Sequence, residues 1–100
     1  MKIAIASVKD TEKADVSTMA GRAPFYLIFE NGKLVKKIKN PFRVGGGGAG
    51  FGVAQMLADE KVNLVIAGRF GPNMVYALNQ KNIKHKEMSG INVEDALKKA

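Results

Sequence analysis

The chain has 100 residues, a net charge of +7 from 16 Lys and Arg against 9 Asp and Glu, and no cysteine. That length allows one hydrophobic core, so a single domain over residues 1–100 is expected. The missing cysteines exclude a disulfide framework and thiolate metal ligation, while 46% apolar and 25% charged residues exclude a disordered chain.

The first apolar run, Met1 to Ala6, is broken by Ser7, Lys9 and Asp10. It is too short for a signal-peptide core or a membrane span, so a cytoplasmic protein without membrane attachment is expected. The positive charge has two readings, a lysine-rich solubilising surface or an anionic partner. Only three of the cations are arginines, Arg22, Arg43 and Arg69, and arginine is the residue that reads an oxyanion with a fixed fork of donors.

In chain order, Ile3 and Ile5 alternating with Ala4 and Ala6 predict a buried strand over 2–6. Residues 7–24 show no clean period and read as a long loop, a kind of segment that is commonly functional. Residues 25–30 and 33–39 then flank Asn31-Gly32, the signature of a two-residue type I′ hairpin. Counting outward from the turn pairs Glu30 with Lys33, Phe29 with Leu34, Ile28 with Val35 and Phe25 with Ile38, and makes Tyr26 and Lys37 neighbours. Asn40-Pro41 ends the second strand.

Four glycines, Gly45 to Gly48, lead into a helix over 49–60 with Val53, Ala54, Met56 and Leu57 on one face. Residues 62–67 form an apolar run suited to a central parallel strand. Gly68-Arg69-Phe70-Gly71 turns into a second helix begun by Pro72, with Val75 and Leu78 inward. Asn82 suits a left-handed cap. Residues 83–86 read as a lysine-bearing edge strand, and Asn92 with Asp95 starts a last helix over 93–99.

The order β-β-β-α-β-α-β-α implies an α/β domain with a mixed, five-stranded sheet. If the first strand pairs with both the hairpin and the fourth strand, the strand order is 3-2-1-4-5, a ribonuclease H-like motif with helices on the sheet faces. In that topology the loops 7–24, 40–48 and 68–71 all leave carboxyl ends of strands that point the same way. Open α/β sheets bind ligands at that end, and all three arginines fall there. Glycines ahead of a helix leave backbone amides and the positive end of the helix dipole for an anion. The candidate ligand-binding residues are therefore Gly21, Arg22, Arg43, Gly45, Gly46, Gly47, Gly48, Gly68, Arg69, Gly71 and Asn73.

Catalytic machinery is sparse. The first strand carries no acidic residue of the kind that holds metal ions in ribonuclease H-like nucleases, the one histidine, His85, lies between two lysines, and neither Ser7 nor Ser17 has a recognisable base. No enzyme is expected. Met19 and Met74, as soft thioethers beside the candidate loops, are the remaining metal-contact candidates, Met19 foremost. Nucleic acid is not an expected partner, because Tyr26 beside Lys37 is too little aromatic and basic interleaving.

The amino-terminal Met1-Lys2-Ile3-Ala4-Ile5-Ala6-Ser7, Gly21-Arg22-Ala23-Pro24-Phe25-Tyr26, Asn40-Pro41, Gly47-Gly48-Ala49-Gly50 and residues 65–73 together resemble the dinitrogenase iron–molybdenum cofactor biosynthesis domain. The resemblance runs over the whole chain. It implies a ribonuclease H-like fold and a small non-catalytic carrier of an iron–sulfur or iron–molybdenum cofactor precursor, with metal-cofactor assembly proteins as partners. The histidine that the family commonly has before Gly-Arg-Ala-Pro is absent here, and Met19 stands near its position. An anionic cluster would then be held by arginines and backbone amides. The alternative is a protein-interaction domain that keeps the fold without the cluster.

Overall fold

The computed structural model describes residues 1–45 and 47–100. Its elements are β1 (Lys2–Ser7), β2 (Phe25–Glu30), β3 (Lys33–Lys39), α1 (Ala49–Asp59), β4 (Leu64–Ala67), α2 (Pro72–Gln80), β5 (Lys84–Glu87) and α3 (Val93–Lys98). The five strands form one sheet of order β3-β2-β1-β4-β5. β1 runs antiparallel to β2 and parallel to β4, β2 is antiparallel to β3, and β4 is parallel to β5. This is the ribonuclease H-like arrangement, with β1, β3 and β4 pointing the same way.

The period-2 alternation of the central strands sorts their side chains onto two faces. Ala4, Ala6, Tyr26, Ile28, Val65 and Ala67 meet Val53, Ala54 and Leu57 of α1 and Met74, Ala77 and Leu78 of α2. The small alanines on this face let both helices lie close to the sheet. Ile5, Leu27, Phe29 and Ile66 point the other way, onto Val16 and onto Val93 and Ala96 of α3. Each large side chain buried in this way contributes about 1.5 to 3 kcal/mol.

The hairpin turn has the expected geometry, with Asn31 at φ 52° and Gly32 at φ 82°. Its register holds only for the first two pairs, Glu30 with Lys33 and Phe29 with Leu34. A bulge then leaves Val35 unpaired, so that Ile28 faces Lys36, Leu27 faces Lys37, Tyr26 faces Ile38 and Phe25 faces Lys39. The expected pairs Ile28–Val35 and Phe25–Ile38, and the Tyr26–Lys37 neighbourhood, are thereby corrected. The cause is packing. In an unbroken strand Leu34 and Ile38 would share a face, whereas the extra residue sends Leu34 to the α3 side and Ile38 to the α1–α2 side. It also brings Lys36 onto the helical side, where its Nζ lies 2.6 Å from Oε2 of Glu60 at the end of α1, an exposed pair worth under about 1 kcal/mol.

The segment 7–24 is no slack loop. Val16 bridges Ser7, Asp15 bridges Asn92 and Met19 bridges Arg69, while Ala14, Val16, Ala20 and Ala23 are buried. On α2 the inward residue is Met74 rather than Val75, which is only partly buried. Asn92 caps α3, its side chain accepting from the Asp95 amide at 2.8 Å. Asn92→Ala is therefore expected to lower stability by about 1 kcal/mol, read as a fall of roughly 4 to 8 °C in Tm by thermal denaturation.

Candidate anion-binding site

The carboxyl ends of β1, β3 and β4 gather the three glycine-bearing segments. The turn at residues 20–23 lies against the start of α1: a Cβ added to Gly21 would sit 3.5 Å from the Gly50 amide nitrogen. It is also tied to the end of β4, because the Ala20 amide donates to the Arg69 carbonyl at 3.0 Å and the Gly68 amide to the Ser17 carbonyl at 2.9 Å. Gly50 in turn lets α1 touch α2. A Cβ there would come within 2.9 Å of Met74 Cβ and 3.1 Å of its backbone nitrogen.

Between these segments lies a cleft of about 220 Å³ lined by Met19, Gly21, Arg22, Ala49, Gly50, Gly71, Pro72, Asn73 and Met74. Two helices begin in it. α1 starts at Gly48, in the left-handed region at φ 89°, and α2 at Gly71, with Pro72 in its first turn. Neither start has a capping side chain or an acidic residue in the first turn. An α-helix leaves its first amides without intrahelical partners and carries about half a positive charge at that end. Two such ends facing one cleft make an anion-attracting concavity. Half-buried Arg22 adds a full charge, and its Nη1 donates to the Phe42 carbonyl at 3.0 Å. None of the lining residues is acidic.

The walls are otherwise soft and apolar. Met74 is buried and belongs to the core, whereas Met19 is 49% exposed at the rim. Among the described residues no group of three or more His, Asp or Glu side chains is placed to hold a metal ion. Nor is any helix long and apolar enough to cross a membrane.

Of the residues singled out from the sequence, Gly21, Arg22, Gly71 and Asn73, with Met19 and Met74, line this cleft, and Gly48 immediately precedes it. Gly45 and Gly47 lie exposed in the β3–α1 connection, and Gly46 lies outside the described residues. Arg43 and Arg69 are exposed and contribute no lining atom. Gly68 has a structural duty: its missing side chain makes room for the Thr18 backbone. Ala49, Gly50 and Pro72 were not expected to line a site, because they offer backbone or plain apolar surface rather than functional groups.

Three buried or packed side chains behind the cleft were also missed. The Tyr26 hydroxyl donates to the Ala20 carbonyl. The Asn40 amide donates to the carbonyls of Gly21, at 3.2 Å, and Ala23, at 2.9 Å. The Phe42 ring packs on Gly52, where a Cβ would come within 2.4 Å of Cε1. Burial pushes the Tyr26 phenol well above its ordinary pKa, so it stays protonated and remains a donor.

The strand order defines a ribonuclease H-like α/β protein, with a small cleft at the carboxyl end of its sheet. The chain belongs to the dinitrogenase iron–molybdenum cofactor family, whose model matches residues 1–100. Among solved structures it is similar to the apo form of the orange protein from Desulfovibrio gigas, with a TM-score of 0.92 and 24% identity over 98% of this chain and 84% of that one. A NifB-like protein from Thermotoga, of the DUF35 family, superposes with a TM-score of 0.83 at 26% identity, covering 97% of this chain and 84% of that one. A dinitrogenase-like protein from Methanocaldococcus jannaschii gives 0.62 at 18% identity with the same coverage. No curated protein matches the sequence significantly.

Proposed function

We propose that this protein is a small non-catalytic carrier that binds an anionic, cofactor-related ligand in the cleft between the starts of α1 and α2. The observation that carries the reading is the convergence of two uncapped helix amino ends and the half-buried Arg22 on one cleft without an acidic lining residue. The proposed ligand class is a metal–sulfur cluster or precursor belonging to the iron–molybdenum cofactor, carried as cargo, and family membership supports it. The likeness to the NifB-like protein is consistent with that class. Soft walls at Met19 and Met74 suit a sulfur-shelled anion, because a weakly hydrated anion gives up little solvation on entering. The carrier would work in the cytoplasm and exchange its cargo with metal-cofactor assembly proteins.

The test is anaerobic titration of the protein with a synthetic four-iron, four-sulfur thiolate cluster, followed by amide NMR. Shifts are expected at residues 19–22, 48–51 and 71–74. They are not expected at Asn63, Leu64 and Lys84, which line a separate hollow at the other end of β4. Binding that shifts the second set alone, or neither set, would sink the reading.

A second reading, an interaction module that keeps the fold without the cluster, draws on Phe51 and Tyr76. These are 46% and 61% exposed and flank a groove of about 240 Å³ between α1 and α2. It predicts that cellular function survives Arg22→Ala and fails with Tyr76→Ser.

A further inference from the structure

An arginine adds to affinity in proportion to how little freedom it loses on binding, so the fixing of its backbone matters as much as its charge. The turn at residues 20–23 is fixed in an unusual way. The carbonyls of Ala20, Gly21 and Ala23 all accept from side-chain donors, Tyr26 for the first and Asn40 for the other two. The same Asn40 accepts the Phe42 amide on its Oδ1 at 2.9 Å, and the Phe42 carbonyl receives Arg22 Nη1 at 3.0 Å. The bonds therefore close a circuit running from Arg22 through Phe42 and Asn40 back to the backbone on either side of Arg22.

Both supporting residues are buried, Tyr26 completely and Asn40 at 4% exposure. Only a primary amide can donate two bonds and accept a third at one site; a carboxylate of the same shape has no donor. The neighbours of Tyr26 on β2, Leu27 and Ile28, show that apolar side chains suffice to fill this sheet. The hydroxyl therefore serves the turn rather than the core.

We infer that Asn40 and Tyr26 are positioning residues that hold Arg22 rigid at the cleft before any ligand arrives. The inference rests on the binding role proposed above for Arg22, but its first test needs no ligand. The heteronuclear NOE of the Arg22 Nε–H group is measured in the full chain at neutral pH, for the wild type, Tyr26→Phe and Asn40→Asp. In the wild type it should match that of the backbone and exceed those of Arg43 and Arg69. In each variant it should fall to the Arg43 and Arg69 level, while the amides of β1 and β4 keep their positions. An Arg22 signal as mobile as Arg43 in the wild type, or unchanged in either folded variant, overturns the inference. Should Tyr26→Phe not fold, Asn40→Asp and the wild-type comparison decide it.

The second test is the cluster titration. Tyr26→Phe should weaken binding about threefold to tenfold, and that loss should vanish in an Arg22→Gln background. Equal losses in both backgrounds would show that Tyr26 does not act through Arg22. Absence of wild-type binding would count against the carrier reading alone, since the NOE comparison stands without it.

Discussion

Gly68→Ala is expected to cost about 2 to 3 kcal/mol and to lower Tm by roughly 10 to 20 °C. The methyl group would lie 2.8 Å from Thr18 Cα and 2.9 Å from the Thr18 carbonyl oxygen. These are backbone atoms, held by the bond from the Gly68 amide to Ser17 and by the bridge between Met19 and Arg69. No side-chain rotation relieves the clash, so the 16–20 segment must move off the end of β4 and carry the 20–23 turn with it. Gly71→Ala is the control. Gly71 has φ −74° and open space where its Cβ would stand, so its stability should change by under about 0.5 kcal/mol. Thermal denaturation of the two variants checks the contrast. Equal melting temperatures would mean that the contact between the 16–20 segment and β4 does not organise the site.

Arg22→Ala should weaken binding of the synthetic cluster about 10- to 100-fold, the range for losing charge-assisted hydrogen bonds at a partly buried position. Arg22→Lys keeps the charge without the planar fork and should fall between. Arg43→Ala and Arg69→Ala should each stay within about threefold of wild type at physiological salt, because exposed charges outside the cleft are screened over its dimensions. The check is anaerobic titration followed by absorbance, repeated at low and high salt. If Arg69→Ala proved as damaging as Arg22→Ala, the ligand would have to sit on the outer face of the 68–71 turn instead of in the cleft.

The sheet was readable because its signals are local and mutually consistent. Asn31-Gly32 fixed a hairpin, Pro72 and Asn92 fixed helix starts, and the alternating apolar pattern of β1 and the apolar run of β4 marked them as central. Chain order and handedness then left few topologies. The bulge at Val35 was not readable, because Val35 and Lys36 both suit an exposed edge strand and the choice between them is made by Tyr26 and Phe29 on opposite faces of β2. The end of the sheet that carries the cleft followed from strand directions alone.

Its lining did not follow so readily. Position in a loop says nothing of side-chain placement, so Arg22, which lines the cleft, could not be told from Arg43 and Arg69, which do not. Ala49, Gly50 and Pro72 contribute surface through the backbone, and sequence patterns mark functional groups far better than they mark close approaches. Asn40 carried one readable hint, an asparagine before a proline at a strand end. Such a side chain often bonds to nearby backbone, though the partners across the turn at 20–23 are visible only in three dimensions.

The contact of Gly50 with Met74 has a consequence beyond the shape of the cleft. It sets the positive poles of two helices side by side, and like poles repel. The fold carries that repulsion, offset by the apolar contacts that α1 and α2 share beneath it. An anion bound between the poles, as the proposed carrier role requires, would reverse the sign of the interaction. On that proposal occupancy and helix cohesion would be coupled: a bound anion would draw α1 against α2, whose amino ends otherwise repel.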